Sequence, residues 1–569
     1  MGFKNRFLLY FLRGIGLSSF LALIFSIQSI AQNLPANQPI LEEYIRRSQL
    51  LSKNSSSSFL SRPISLADSL LTDSVSYSMK LASSSEADFW KSQVSLLPIF
   101  SGTQVGTGNP YPEAAKFLVA KGMQQWISTG VYASFGPFSL QLQPEWIIAQ
   151  NKYYNSGLKK ETGIEHIERL GQGAYSKLLL GQSSLRANWG AFSIGVSSEN
   201  IWWGPGQYNS LLFSNNAFGF YHLTLNTRKP AKTFLGSFEG QLLMGKLENF
   251  ALFKRDEKED WRYLNGITLS YQPKWIPGFY VGFSRVFQQY SSYNNQSWAY
   301  YFPIFEPFQK VNLIDPNSGV FDSVEYDGRL QSQQLTGFAR IVIPKAKAEV
   351  YFEYGRRDHA VDWREFLLNP EHARAYILGF KKLIYLPNQA FLQVNGEILQ
   401  QQESINILTR YGAAGGQSWA SHGIQQGFTH RGQMLGPGVG PSSNVQTLET
   451  SWVKGMKKLG IRWERLNRHQ DVYVRMFTDP SKNGRWVDYS ARLLGDWQWK
   501  NLIVSSSLNL IYSLNPNWSL DSTSKSEFPS GMKEFYTQSQ VNLIYFWGRG
   551  DKNVKGVKRL PSAGRLKVN

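Results

Sequence analysis

Cysteine is absent from the 569 residues. No disulfide can staple this chain, so a large core or a closed sheet has to hold it together. Beyond the N-terminus, no stretch approaches the roughly 18 consecutive apolar residues of a membrane helix, which excludes a helical transmembrane bundle. If the chain sits in lipid it does so as a β-barrel, the other architecture that pairs every backbone group internally. Catalytic motifs are missing too: there is no G-x-S-x-G elbow, P-loop or H-E-x-x-H. Histidine is scarce, with 7 residues. The nearest to a pair, His422 and His430, have no local acidic or third histidine partner, so no metal and no cofactor are expected. Glu165, His166 and Glu168 lie in the charged run KKETGIEHIERLG and read as a solvated turn. GPGVGP, residues 436–441, is interrupted by prolines and followed by a strand pattern, so it reads as a bent loop rather than a phosphate cradle.

What is present begins with an export pattern. Lys4, Arg6 and Arg13 precede the apolar stretch LSSFLALIFSIQSIAQ, and Ser29-Ile30-Ala31 has the small-residue form of a cleavage site. Residues 1–31 are expected to be a signal peptide, cut between Ala31 and Gln32. Aromatic residues are abundant (36 Phe, 28 Tyr, 18 Trp), yet the mean hydropathy is −0.32. Strands with one apolar face, one polar face and aromatic girdles have that composition. About half of the formal charge of +19 sits at the ends, because Lys4, Arg6 and Arg13 stand at one and residues 549–569, with seven basic residues and one acid, at the other. A diffuse positive field favours acidic polymers, and export argues for a polysaccharide and against nucleic acid.

Along the chain the period changes. NQPILEEYIRRSQLLSK spaces Ile40, Leu41, Tyr44, Ile45 and Leu51 as a helix, with SLADSLLTDSV and SEADFWKSQVSLL as two further short helical candidates. Residues 32–98 are therefore read as a periplasmic helical module. From about Gln124 the period is two. Phe138, Leu140 and Leu142 alternate with Ser139, Gln141 and Gln143; Phe192, Ile194 and Val196 share one face; Ala348, Val350, Phe352 and Tyr354 oppose Lys347, Glu349, Tyr351 and Glu353. Segments of about ten residues patterned this way are barrel strands. Tight connections (Gly136-Pro137, Pro344-Lys345-Ala346) alternate with long polar ones at 151–176, 200–230, 291–330 and 402–446. The reading is mainly β, a transmembrane antiparallel β-barrel of about 16–18 strands over residues 99–548, with the small α-helical module before it and a basic tail, 549–569, after it. A soluble sandwich or propeller is the alternative, and the lack of a repeat of about 40 to 50 residues weakens the propeller.

Several motifs then fall in a recognisable order: EEYIRRSQLL and SRP near the mature start, LLP at 96–98, QLQPEW at 141–146, ENIWWGPGQYNSLLFSNNAFGF at 199–220, and GFTHRGQMLGPGVG at 427–440. As an ordered set they resemble the Wzi-type capsule assembly proteins of the bacterial outer membrane. The resemblance implies a barrel of about eighteen strands with a helical bundle at its periplasmic end. It also implies a lectin-like role in holding capsular polysaccharide at the cell surface. The basic tail after the last strand is extra to that pattern.

Sugars offer apolar ring faces to aromatics and hydroxyls to amides, carboxylates and guanidinium groups. Trp202, Trp203, Tyr208, Asn209, Asn215, Asn216 and Arg228 supply that set within 27 residues of what reads as an outer loop, and His430 and Arg431 extend it from another. Gly204-Pro205-Gly206 reads as a rigid reversal between them. The expected partners are a capsular or other surface polysaccharide, outer-membrane lipid and the polysaccharide export machinery, around a monomeric, non-catalytic barrel. A diffusion porin and an outer-membrane barrel hydrolase, whose site would be scattered over several strands, are the alternatives.

Overall fold

The computed structural model describes residues 33–36, 38–51, 57–65, 93–112, 117–153, 173–249, 261–293, 301–302, 304, 331–357, 367–404, 419, 427–471, 473, 484–518 and 532–547. The signal segment with Ala31 and Gln32, the basic tail, and the His422 and Glu165–Glu168 regions lie outside them. Among the described residues no helix is long and apolar enough to cross a membrane.

The N-terminal segment contributes β1 (Asn33–Leu34), helix α1 (Pro39–Leu51), β2 (Ser61–Arg62) and β3 (Ile64–Ser65). Most of 65–75 and 85–92, where two further helices are expected, falls outside the described residues. The end of the second candidate is strand, because β4 (Gln93–Gly106) starts inside the stretch read as helical.

The wall then runs through β5 (Gly122–Phe135), β6 (Phe138–Leu142), β7 (Glu145–Ala149), β8 (Tyr175–Leu179), β9 (Ser184–Trp189) and β10 (Phe192–Ser197). A two-residue strand, β11 (Trp202–Trp203), departs from it. The wall resumes with β12 (His222–Thr227), β13 (Ala231–Lys232), β14 (Gly236–Glu248), β15 (Trp261–Pro273), β16 (Phe279–Tyr290), β17 (Ser332–Ile343), β18 (Ala348–Arg357), β19 (Arg374–Leu386) and β20 (Ala390–Gln400). The short hairpin β21 (Thr429–His430) and β22 (Gln433–Met434) interrupts again. The wall closes with β23 (Asn444–Lys454), β24 (Lys457–Arg468), β25 (Trp486–Trp499), β26 (Leu502–Leu514) and β27 (Lys533–Tyr545), which pairs antiparallel with β4. β6 and β7 both pair with β5, β8 and β9 continue one another beside them, and β12 and β13 both pair with β14. Each of these couples is one interrupted strand, so the closed antiparallel barrel has 18.

Burial alternates in the sense opposite to a soluble sheet. Val350 and Phe352 are 45% and 44% exposed, whereas Glu349, Tyr351 and Glu353, which alternate with them, are buried. Leu140 points out while Ser139 and Gln141 point in. A period of two with apolar residues outward places the hydrocarbon outside and a polar lumen inside. The tight turns gather at one end, the periplasmic end by the rule for outer-membrane barrels, and the long connections at the other.

The lumen is filled by the chain itself. α1 sits in the tight-turn mouth, where the Arg47 guanidinium donates to the carbonyl of Gly455 in the β23–β24 turn at 2.7 Å. Its apolar side is buried through Leu41, Ile45 and Leu50, with Leu50 packed among Leu60, Tyr280, Phe338, Val342 and Leu383. Its polar side is buried as well, since the wall it meets is polar. Above it, residues 198–221 fold inward instead of outward. β11 pairs with β2, and Trp203 lies edge-on to Phe213 with ring centroids 4.8 Å apart. The segment 427–443 caps this layer from the long-loop end: Arg262 of β15 donates to the carbonyls of Gly427 and Thr429 at 2.6 and 2.7 Å, and Ser214 N–H to Leu435 O at 2.7 Å.

Candidate functional site

The Gly-Pro-Gly bend is built by what surrounds it. Gly204 has φ +106°, and a side chain there would run into the Glu353 carboxylate; a Cβ on Gly206 would collide with the carbonyl of Asn209. Glycine is therefore required at both positions, one for conformation and one for space. The backbone N–H groups of Gln207 and Tyr208 and the Nδ2 of Asn209 donate to the Glu397 carboxylate at 2.7, 3.1 and 3.1 Å, and Tyr351 Oη adds a fourth bond at 2.8 Å. One inward carboxylate of β20 thus gathers the chain leaving the bend. On the other side, the Gly206 carbonyl accepts from Arg46 and Arg62.

Between this bend, α1 and the wall formed by β24–β27 lies a cavity of about 200 Å³. Trp202, Gln207, Tyr208, Asn209 and Asn215 line it from the loop, Glu42, Glu43 and Arg46 from α1, and Lys458, Arg462, Glu464, Arg492 and Asp496 from the wall. The inward-facing Ser505, Ser507, Gln540 and Asn542 are half-buried, so this side of the lumen carries solvent-accessible space. The volume holds about six waters, or a sugar ring of similar size.

Most of the charges around it are paired with one another. Lys458 Nζ lies 2.8 Å from Glu43, 3.5 Å from Glu449 and 3.6 Å from Asp496. Arg462 pairs with Glu449 at 2.9 Å and lies 4.3 Å over the Tyr208 ring, whose hydroxyl donates to Glu449 at 3.1 Å. Arg62 pairs with Glu42 at 3.4 Å and covers one face of the Trp202 indole at 4.8 Å. Burial pushes the Glu42 carboxyl up to about 7 against the pull of Arg62 and Arg46. Several polar atoms of the lining residues have no hydrogen-bond partner among the described residues, among them the neutral Trp202 Nε1, Gln207 Oε1, Asn209 Oδ1 and Asn215 Oδ1. Buried polar atoms without partners are costly, so these four leave hydrogen-bonding capacity in the residues around the cavity.

Four of the residues singled out in the sequence thus meet at one place: Trp202, Tyr208, Asn209 and Asn215. The others do not. Trp203 is 1% exposed and points into the apolar cluster with Leu211, Phe213 and Leu264, its Nε1 donating to Gln241 at 2.9 Å. Asn216 donates to Met434 O at 2.9 Å. Arg228 lies at the tight-turn end beside a separate pocket of about 40 Å³ lined with Arg186 and Glu239. His430 is buried at the long-loop end, accepting the Glu248 N–H at 3.1 Å. Burial, together with the nearby Arg431 and Arg262 cations, holds its imidazole well below the usual histidine range. Arg431 pairs with Glu248 at 2.7 Å and keeps partial exposure there. The loop expected to reach outward therefore lies inside the barrel, because its polar atoms find inward-facing wall carboxylates and its aromatic residues find one another. The α1 and wall residues of the cavity were not singled out in the sequence. Their signal was available in KKLGIRWERLNR, whose alternation sets Lys458, Arg462 and Glu464 on the inward face.

The family model for the capsule assembly protein Wzi matches residues 118–508. The chain belongs to the Wzi family. No curated protein matches the sequence. Among solved structures, the Escherichia coli Wzi barrel superposes with a TM-score of 0.57 at 11% identity, over 88% of this chain and 98% of that one. It is described as a carbohydrate-binding β-barrel involved in group 1 capsule assembly. The Pseudomonas aeruginosa barrels OpdQ (8% identity) and OprD (9%) each match with a TM-score of 0.37, over 80% of this chain and 97% and 93% of theirs. The shared Wzi fold makes this an outer-membrane β-barrel, and the remaining questions concern what a Wzi-family lumen holds.

Proposed function

We propose that this Wzi-family barrel binds an exported surface polysaccharide without chemical turnover and retains it at the cell, with the export machinery delivering the polymer to a monomeric receptor. We further propose that its sugar-contacting site includes the lumen cavity at Trp202, Tyr208, Asn209 and Asn215. The observation carrying this reading is a solvent-accessible lumen cavity lined by an indole, a phenol and side-chain amides, with most of the charged groups around it paired to one another. Such a lining suits neutral hydroxyls in place of water, and the Tyr208 and Trp202 rings supply apolar surface. Wzi-family membership supports the polysaccharide as ligand. A diffusion porin needs an open lumen, whereas α1 and two inward segments occupy this one. Arg431, partly exposed at the long-loop end and positioned beside the buried His430, is proposed as a second contact nearer the surface.

Deleting the gene in its encapsulated host tests the role. Polymer should still be synthesised but be recovered from the medium, with the cell-bound fraction falling by most of its value and returning on complementation. A deletion strain that keeps its full surface layer would contradict the role.

A further inference from the structure

The eight tight turns, counted with the strand-end residues that flank them, contain Lys232, Lys274, Lys345, Lys347, Lys454, Lys457 and Lys500, and no aspartate or glutamate. Five of these lysines (232, 274, 345, 454 and 500) are exposed. The inward acids near this end, such as Glu349 and Asp496, are buried and face the lumen, so they leave the outer rim uniformly positive. Large aromatic residues stand among the lysines. Trp275 is 66% exposed, Tyr385 65% and Trp499 56%. Two ammonium groups lie on ring faces, Lys347 4.3 Å from the Tyr385 centroid and Lys457 4.2 Å from that of Trp497.

We propose that this rim is a binding surface for anionic phospholipid headgroups of the periplasmic leaflet. Exposed Trp and Tyr at the edge of an apolar band mark headgroup depth. Lysines at the same depth set their charges against lipid phosphates, and net-negative lipids gain where zwitterionic ones, carrying their own ammonium, do not. An acidic polysaccharide would use the same charges and rings, but these rings stand at the edge of the lipid-facing apolar band, which favours lipid. The partner is thus narrower than bulk membrane: a lipid chosen by headgroup charge. β27 ends at this rim with Tyr545, and the sequence that follows adds seven basic residues against one acid in 549–569.

The test uses the full chain reconstituted in phosphatidylethanolamine vesicles containing a minor fraction of phosphatidylglycerol, then extracted in mild detergent, with retained lipids quantified by mass spectrometry. Wild type should retain phosphatidylglycerol enriched over the bulk ratio by roughly fivefold or more, less so at high salt. The variant Lys232→Gln/Lys274→Gln/Lys345→Gln/Lys454→Gln/Lys500→Gln, with its tail intact, should fall close to the bulk ratio. Lys246→Gln, on the wall toward the long-loop end, should retain the wild-type enrichment. A bulk ratio in wild type, or equal enrichment in the fivefold variant, overturns the proposal. So does a result in which the five lysines govern binding of an added acidic polysaccharide and leave the lipid ratio unchanged.

Discussion

Replacing Glu349 with alanine should unseat the plug and turn a closed barrel into a conducting one. Glu349 is fully buried and forms ion pairs with two guanidinium groups. Arg46 of α1 lies at 3.0 Å, and Arg340 of β17 reaches it through Nε at 2.9 Å and through a second nitrogen. Arg340 also donates to Ser58 O at 2.7 Å and Gln49 Oε1 at 3.0 Å, so the Glu349–Arg340 pair fastens both α1 and the segment leading to β2. Without it, two cations face each other in a water-poor space. Breaking a buried pair on one side costs about 3–5 kcal/mol, and here the simplest relief is for α1 to leave. A barrel of this strand number encloses an aqueous channel when nothing fills it. Planar-bilayer recordings should show steady ion conductance for Glu349→Ala and near silence for wild type, with the N-terminal segment becoming open to protease from the tight-turn side. Glu349→Gln, which keeps the acceptor oxygen, should lie between them. Equal conductance in all three would mean that this cluster does not hold the plug.

Trp203→Ala should cost the most stability of any single change in the loop. The ring fills the centre of the lumen cluster, against Phe213 and beneath Gly266 of β15, where even a Cβ would come within 3.1 Å of it. Truncating a buried tryptophan costs about 3–5 kcal/mol through lost transfer energy and residual cavity, and Gln241 loses its hydrogen-bond donor. Thermal unfolding in detergent should shift down strongly for Trp203→Ala and only modestly for Trp203→Phe. Trp202→Phe should barely move it, because the Trp202 Nε1 makes no bond to lose. A reversed order, with Trp202 the costlier of the two, would contradict the division between packing and lining drawn here.

Much of the wall was legible in the sequence because lipid imposes a strict rule on it. Phe138, Leu140 and Leu142 have to point one way and Ser139 and Gln141 the other, and a period of two states this locally. The tight turns at Gly136-Pro137 and Pro344–Ala346 were legible for the same reason, since their chemistry is local. The lumen was not. Residues 198–221 have the length and polarity of an outer loop, and nothing within them says that they turn inward. That outcome is decided by partners far along the chain: Glu397 for Asn209, Gln241 for Trp203, Arg62 for Trp202. The same applies to α1, whose spacing announces a helix but not that its arginines meet Glu349 and the β23–β24 turn. Burial of both faces of that helix follows from a polar lumen, a property of the closed barrel rather than of the segment.

The central claim is that the lumen cavity beneath the Gly-Pro-Gly bend contacts sugar, and calorimetric titration of the purified full chain with the host's own surface polysaccharide tests it most directly. Wild type should bind. The double variant Trp202→Phe/Asn215→Ala removes one indole N–H and one amide that hold nothing else in place. It should bind roughly tenfold or more weakly at an unchanged unfolding temperature, as expected for two lost hydrogen bonds. Undiminished affinity in that variant, alongside a loss in Arg431→Ala at the long-loop end, would move the site out of the lumen. No binding by wild type would contradict the account as a whole.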